Sequence, residues 1–209
     1  LPLSGINCLV TADPTFEKID PVRFIGNFSS GKMGCCIAHE LLSLGANVEF
    51  IIGPSSEKIH KEISVTRVIS SQEMYDFSLK KFKNQDIIIF AAAVSDFTPK
   101  KIDTKKIKNK EGLEISFKKT KNILKKLGSQ KKEQILFGFA LETNHELENA
   151  QKKLKEKNLD AIILNSLNDD GAGFGFDTNK ITFIDNVDNI KKYPLMSKED
   201  VSKIIVKKA

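Results

Sequence analysis

Apolar residues recur along this chain in two patterns that alternate with each other. Short unbroken apolar runs predict buried strands at residues 5–11, 47–52, 65–69, 86–93, 134–140, 161–164 and 181–184. Three-and-four spacing predicts helices at residues 32–44, 70–82 and 143–158, and from residue 197 to the end. Buried strands that alternate with helices are typical of an α/β fold. We therefore predict a doubly wound, mostly parallel, Rossmann-like sheet.

Several predicted helices carry end signals. Ser70 with Glu73 forms a capping-box pattern, in which each side chain bonds the backbone N–H of the other residue. Polar residues at 143–146 and Ser197 predict the starts of two later helices, and Gly45 predicts the end of the first. These signals support the boundaries set by periodicity.

One segment, residues 98–127, breaks the alternation and is called the arm. Its Leu113, Ile115 and Phe117 alternate with polar residues, which predicts a half-buried antiparallel strand. Open α/β sheets bind ligands beyond the carboxyl ends of their strands, where this insertion begins. The arm can therefore be a flap over a ligand or a dimer contact, or both. We predict one domain, 1–209, that includes it.

The net charge of +6 is uneven, because residues 100–132 hold 13 Lys and only three acidic residues. This favours a lysine-rich arm that is either solvated or bound to polyphosphate. Arg occurs only at positions 23 and 67, so the pattern does not favour a general nucleic-acid binder. The longest uncharged apolar run, 87–94, is too short to span a membrane.

Cysteine usage and the chain start bear on location. Cys8, Cys35 and Cys36 are odd in number and two are adjacent, which does not fit a disulfide framework. We expect reduced thiols in a cytoplasmic protein, and no signal peptide is visible. The chain begins at Leu1 rather than Met, so we expect either a processed protein or a piece of a longer one.

A strand, a loop of small residues and a helix start follow one another around residues 20–34. Backbone N–H groups at a helix N-terminus attract anions. Asn27 can donate and accept, which suits a carbonyl or carboxylate. Ser29, Ser30 and Gly31 are small enough to let a phosphate come close. Lys32 and Arg23 supply positive charge. The alternative is an ordinary connecting loop with a helix cap.

Other candidate positions lie at predicted strand ends or on helices. Residues 91–96 end a strand with small side chains and Asp96, which suits either a flat ligand or tight helix packing. Phe139 is either an aromatic platform or core, and Lys153 and Lys157 are either ligand contacts or solvated lysines. No strand leads into the glycines of 171–175, so we do not interpret them as a dinucleotide fingerprint. The three scattered histidines predict neither a metal site nor a catalytic triad.

Taken together and in this order, the motifs resemble the phosphopantothenoylcysteine synthetase family of coenzyme A biosynthesis. The resemblance is strongest to the carboxy-terminal half of the bifunctional bacterial enzyme. It rests on Ile19-Asp20-Pro21-Val22-Arg23, Asn27-Phe28-Ser29-Ser30-Gly31-Lys32-Met33-Gly34, Ala91-Ala92-Ala93-Val94-Ser95-Asp96-Phe97, Lys106-Ile107-Lys108 and Gly138-Phe139-Ala140-Leu141-Glu142-Thr143.

The resemblance implies a ligase that joins 4′-phosphopantothenate to L-cysteine through an acyl-cytidylate, using CTP and Mg²⁺. It further implies a homodimer and a covalently linked upstream decarboxylase domain. Asn27 and Lys106 would be catalytic. The substrate site would comprise Arg23, Asn27, Ser29, Ser30, Gly31 and Ala93. The nucleotide site would comprise Ala91, Ala92, Asp96, Lys106, Phe139, Lys153 and Lys157, with the metal ligands unspecified.

Two positions depart from the family pattern. The family usually has Gly-Gly-Thr where this chain has Asp13-Pro14-Thr15, so we expect a weakened nucleotide loop. It usually has an acidic residue where this chain has Asn122. Two other functions therefore stay open: a non-catalytic binding or regulatory module, and a Rossmann-type nucleotide-dependent oxidoreductase. The latter predicts a glycine fingerprint after the first strand, which residues 13–15 do not supply.

Overall fold

A computed structural model describes residues 1–108 and 112–209. Its helices are α1 (Lys32–Ser43), α2 (Ser71–Phe82), α3 (Ile123–Gln130), α4 (Glu146–Glu156) and α5 (Lys198–Lys208). Its strands are β1 (Asn7–Ala12), β2 (Glu17–Lys18), β3 (Phe24–Ile25), β4 (Asn47–Ile52), β5 (Ser64–Arg67), β6 (Ile87–Phe90), β7 (Phe97–Pro99), β8 (Phe117–Lys119), β9 (Ile135–Glu142), β10 (Ala161–Ser166), β11 (Thr178–Asn179), β12 (Thr182–Asp185), β13 (Ile190–Lys192) and β14 (Met196–Ser197).

The main sheet has eight strands in the order β13-β12-β10-β9-β6-β1-β4-β5. The strands from β10 through to β5 run parallel, and only β12 and β13 pair antiparallel, at one edge. One core layer packs α1 and α5 against one face of the sheet, and a second packs α2, α3 and α4 against the other. The predicted α/β, mostly parallel, doubly wound sheet is confirmed.

The chain order of the parallel strands reverses between β1 and β6. From β1 the chain moves outward to β4 and β5, and it then returns to β6 and continues to β9 and β10. Loops that leave neighbouring strands in opposite directions open a crevice at the carboxyl ends of those strands. The fold therefore places a ligand-sized gap beside β1 and β6.

The helix-end predictions have mixed outcomes. Ser70 and Glu73 form the predicted capping box at the start of α2, and Ser197 caps α5 by accepting from the backbone N–H of Asp200. The predicted side-chain cap of α4 is wrong. Its N-cap residue is His145, which has a left-handed backbone and makes no side-chain cap bond. The acidic residues in its first turn stabilise this helix start instead, through the helix dipole.

The arm differs from its prediction at both of its described ends. The antiparallel pairing is present between β7 and β8 and Ile115 is half-buried, but Leu113 and Ile115 lie outside β8, and Leu113 and Phe117 are exposed. The segment 123–127, predicted as arm, is the start of α3 and belongs to the core, where Leu127 is fully buried. Residues 109–111 lie outside the described residues.

Candidate functional site

Two glycines shape the loop that precedes α1. Gly31 is the N-cap of α1 and has a φ of 75°, a left-handed conformation that glycine adopts without steric cost. Gly34 packs against β1 so closely that an added Cβ would lie 2.4 Å from the Cβ of Ala12. The amino end of α1 is thereby pressed against the end of β1, and residues 31–34 line the crevice.

Asp13 lies directly behind this loop. It is fully buried, with a φ of 72°, and neither carboxylate oxygen accepts a hydrogen bond from the described residues. A Cβ added to Gly31 would lie 1.9 Å from Asp13 Oδ1, so the carboxylate touches the loop. Burial raises the pKa of Asp13 to about 7; the Ser55 hydroxyl, near but outside hydrogen-bond geometry, opposes this rise.

Asn27 links the loop to the end of β6. Its Nδ2 donates to the carbonyl oxygen of Ala93 at 2.9 Å and to that of Val94 at 3.4 Å. Ala93 in turn donates its N–H to the Asp13 carbonyl oxygen. The amide is therefore oriented by backbone, and its Oδ1 remains available as an acceptor.

A cavity of about 340 Å³, the main cavity, opens at the reversal between β1 and β6. Its walls come from the loop before α1, the ends of β6, β9 and β10, and the segment 171–179. The residues that line it include Asn27, Ser29, Ser30, Gly31, Lys32, Ala91, Ala92, Ala93, Asp96, Phe139, Lys153, Asn165, Gly173, Phe174, Asn179 and Lys198. Small side chains, amide groups and ammonium groups share this space, which suits an anionic ligand with polar groups.

A second cavity, the adjoining cavity, lies beside the first and has a volume of about 480 Å³. Ala92, Asp96 and Phe139 line both cavities. The further lining residues include Phe97, Lys119, Thr120, Lys121, Asn122 and Lys157. Burial, and after it the neighbouring Lys153 ammonium, lower the pKa of Lys157. The sequence left open whether Phe139 is a core residue or an aromatic platform for a ligand. In the structure it is half-buried and lines both cavities.

The segment 171–177 is fixed by side chains of other elements. Lys198 Nζ donates to the carbonyl oxygens of Phe176 at 2.6 Å and of Gly173 at 3.2 Å. Lys32 Nζ bonds Asp177 Oδ1 at 2.6 Å. These contacts hold the segment beside the N-terminus of α1, where it forms a wall of the main cavity.

Most of the predicted site residues meet at these two cavities, and two do not. Arg23 and Lys106 line neither cavity. Arg23 pairs with Asp20 at 2.5 Å, and the same carboxylate accepts from the N–H of Ile107. Lys106 is therefore held, exposed, at the turn between β2 and β3. Lys157 ends α4 as its C-cap and donates its backbone N–H to the Lys153 carbonyl oxygen, so the two lysines lie one helical turn apart.

Sequence reasoning missed part of the site. The glycines of 171–175 were given no role by the sequence, yet Gly173 and Phe174 line the main cavity. Asn179 and Lys198 are buried polar residues of that wall. The only sequence signal for Lys198 was its place behind the Ser197 cap, and nothing in the pattern marked it as buried.

The structure bears on the expected thiols, metals and membranes. Burial raises the pKa of Cys8 and Cys35 to about 12 and that of Cys36 to about 11, which disfavours a reactive thiolate. All three thiols are free.

Within the described ranges, no group of three or more His, Cys, Asp or Glu is arranged to hold a metal ion. No helix there has the length and apolar character needed to cross a membrane.

Comparison with known proteins gives a consistent result. A family model for the DNA/pantothenate metabolism flavoprotein C-terminal domain matches residues 3–209. The chain is 48% identical over 210 residues to a cysteine/cysteine sulfinic acid decarboxylase of an unknown prokaryotic organism, covering 99% of this chain and 58% of that protein. It is 45% identical over 203 residues to the coenzyme A biosynthesis bifunctional protein CoaBC of Bacillus subtilis (strain 168), covering 96% and 50%.

A solved structure resembles the whole chain. The crystal structure of the C-terminal domain of the coenzyme A biosynthesis bifunctional protein CoaBC superposes with a TM-score of 0.85 at 37% identity. That match covers 99% of this chain and 95% of the other. By contrast, the chain spans 50% to 58% of the length of the two curated relatives.

Proposed function

The chain belongs to the DNA/pantothenate metabolism flavoprotein C-terminal domain family, and we propose that it is a ligase that joins 4′-phosphopantothenate to L-cysteine in coenzyme A biosynthesis. The observation that carries the proposal is the convergence of Asn27, the loop 29–31 and Lys153 on one cavity at the strand reversal. This cavity combines a helix N-terminus for a phosphate with amide groups for an acyl chain.

The proposed chemistry has two steps. A carboxylate oxygen of phosphopantothenate attacks the α-phosphorus of CTP, and pyrophosphate leaves. The cysteine amine then attacks the acyl carbon of the resulting acyl-cytidylate, CMP leaves, and the amine loses a proton. Neither step needs a protein nucleophile, so the protein acts by positioning and by stabilising charge.

Residue roles follow from position. Asn27, held by the carbonyls of Ala93 and Val94, orients the acyl group. Ser29, Ser30 and Gly31 hold the phosphate of the acid substrate at the amino end of α1. Ala91, Ala92, Asp96 and Phe139 take the nucleotide, with Lys153 and Lys157 near its phosphates. The adjoining cavity gives the base a place beside Phe139.

We propose that Mg²⁺ binds together with CTP, coordinated by its phosphates. Mg²⁺ keeps several waters and binds substrate phosphates with one or two carboxylates. Asp96, exposed where both cavities meet, is a carboxylate that fits this arrangement. When bound, the ion would neutralise phosphate charge.

Lys106 requires a further proposal because it lies outside both cavities. We assign it to charge stabilisation on the α-phosphate, which requires the arm to close over a site. We also propose that the arm forms a homodimer contact, since Phe97 and Phe117 of the β7–β8 ribbon are exposed apolar residues. The bifunctional relatives further support a covalently linked decarboxylase domain in the full protein. We place the full protein in the cytoplasm.

The deciding measurement is pyrophosphate release with CTP, Mg²⁺ and 4′-phosphopantothenate, first alone and then with cysteine, with ATP in parallel. The expected result is release with CTP and formation of phosphopantothenoylcysteine on mass analysis. No release with either nucleotide, from folded protein, would favour a non-catalytic module. Tight NADPH binding in a fluorescence titration would favour the oxidoreductase alternative.

A further inference from the structure

Lys198 is an unusually placed cation. It is the first residue of α5, only 4% of its surface is exposed, and it lines the main cavity. Lysine is almost never fully buried unless its charge is paired. Its two hydrogen-bond partners are the carbonyl oxygens of Gly173 and Phe176, which are neutral. No ion pair of Lys198 is formed within residues 1–108 and 112–209.

No carboxylate of the described residues forms an ion pair with Lys198, although Asp177 and Glu57 are near enough to act on it. The nearby Lys32 also lines the main cavity, and Asp177 already bonds Lys32 at 2.6 Å. Burial is the largest cause that lowers the pKa of Lys198, and the charge of Lys32 adds to it, while Cys36, Asp177 and Glu57 act in the opposite direction. A buried charge without a counter-ion is costly, so an anion that enters this cavity gains from meeting it.

We propose that Lys198 binds the phosphomonoester of the acid substrate. This inference rests on the proposed function and adds a binding residue to it. An ammonium has three N–H donors, and two of them are used on the carbonyls. The third is left for a ligand in the main cavity, which Lys198 shares with Ser29, Ser30 and Gly31.

Two sources can supply a phosphate here, the acid substrate and the nucleotide. Lys198 and Lys153 both line the main cavity, and Lys153 is assigned to the nucleotide, so the loop before α1 is what separates the two sources. The loop at the amino end of α1 is also on the side of Lys198, because Lys32 begins that helix and Asp177 tethers it to the segment that Lys198 holds. The monoester is therefore the source we assign.

The test compares phosphopantothenate with pantothenate, which lacks only the phosphate, and uses CTP to represent the nucleotide. Dissociation constants of phosphopantothenate, pantothenate and CTP are measured by calorimetry for the wild type, Lys198→Met and Lys198→Gln. The glutamine amide has two N–H donors for the carbonyls of 173 and 176 but carries no charge, so it serves as the second variant if the methionine variant fails to fold. Lys203→Met, on the exposed side of α5, is the matched control.

We expect both Lys198 variants to bind phosphopantothenate about ten-fold more weakly or worse, as loss of a charged hydrogen bond predicts. Pantothenate and CTP should bind as in the wild type, and Lys203→Met should change nothing. Equal loss for pantothenate and phosphopantothenate would mean that Lys198 only supports the wall, and a selective loss for CTP would assign it to the nucleotide. Either result overturns the proposal, as does a wild type that does not distinguish phosphopantothenate from pantothenate.

This result is independent of turnover. If the wild type prefers phosphopantothenate through Lys198 but releases no pyrophosphate, the ligase proposal fails and the Lys198 proposal stands. If pyrophosphate is released but the Lys198 variants keep the full preference, only the Lys198 proposal fails.

Discussion

Asp13 combines two unfavourable features at a single residue. Its left-handed backbone is one that glycine adopts most readily, and its carboxylate is buried without a hydrogen-bond partner among the described residues. Sequence reasoning placed it in the nucleotide loop. The structure puts its side chain against Gly31, in the loop assigned to the substrate phosphate. Its charge therefore opposes an anion there.

The raised pKa of Asp13 predicts how stability depends on pH. The pKa is about 7 in the folded state, against 3.8 for an ordinary carboxyl, so the unfolded chain releases this proton first as pH rises. Asp13 therefore lowers the free energy of unfolding progressively between about pH 4 and pH 7, by up to about 1.4 kcal/mol per pH unit. Asp13→Asn removes this loss. Urea unfolding should show little difference from the wild type at pH 4 and a more stable variant at pH 8.

The exposed Asp170 provides the control for this experiment, since Asp170→Asn makes the same chemical change at a carboxylate that is not buried. A stability difference for Asp13→Asn that stays constant from pH 4 to pH 8 would show that the carboxyl is not buried as described. The same variant should bind inorganic phosphate more tightly at pH 8, because the opposing charge is gone.

Asn27 supports a prediction about the proposed second step. Asn27→Asp keeps the size of the side chain but replaces the Nδ2 donor, so the bonds to Ala93 and Val94 are lost. We expect pyrophosphate release to continue while acyl-cytidylate accumulates, detected by mass analysis after quenching. Wild-type yields of the final product would remove Asn27 from this step.

At the scale of elements, α3 changes the interpretation of Asn122. Sequence comparison with the family marked Asn122 as a departure from an acidic residue. In the structure it is the N-cap of α3, and its side chain accepts from the backbone N–H of Lys125 at 2.9 Å. Asparagine and aspartate both serve well at this position. The substitution is therefore compatible with the same helix start.

The cap predicts a graded effect on stability. Asn122→Ala should lower the free energy of unfolding by about 1 kcal/mol, whereas Asn122→Asp should be neutral or slightly stabilising because its charge favours a helix N-terminus. Urea unfolding at pH 7 measures both. Equal destabilisation by the two variants would indicate that the amide has a role other than capping.

At the scale of the whole molecule, topology assembles the site. Residues from the ends of β6, β9 and β10 are far apart in sequence, and the parallel register brings them to one edge of the sheet. The arm is the exception, because Lys106 remains outside the cavities. A contact between two copies would bury the exposed apolar residues of the β7–β8 ribbon.

The proposed homodimer can be tested on this ribbon. Phe117→Glu places a charge on an exposed apolar residue of β8 and should convert dimer to monomer in sedimentation equilibrium, with an unchanged circular dichroism spectrum. Val187→Glu is the control, since Val187 is exposed in the loop between β12 and β13. A wild type that is monomeric at all concentrations contradicts the proposal directly.

The sequence by itself determined the fold class and the positions of seven of the eight strands of the main sheet. Residues 87–90 form an uninterrupted apolar run, which is the pattern of a strand that is buried on both faces of a sheet. The predicted boundaries of β4 agree with the structure at both ends. The sequence also identified the motifs at Asn27, Asp96 and Phe139, because a small-residue loop and a strand end are local features. Ser70 and Ser197 were predictable for the same reason, since a cap depends on neighbours within three residues.

Only the tertiary structure decided which side chains share a cavity and which are buried. The burial of Lys198 depends on the carbonyls of Gly173 and Phe176, more than 20 residues earlier, and the Asp13 carboxylate lies against Gly31, 18 residues later. Lys106 matched a motif yet lies at the β2–β3 turn, because Asp20 holds the neighbouring backbone there. Such contacts are set by chain crossings over long sequence separations, which no local pattern records.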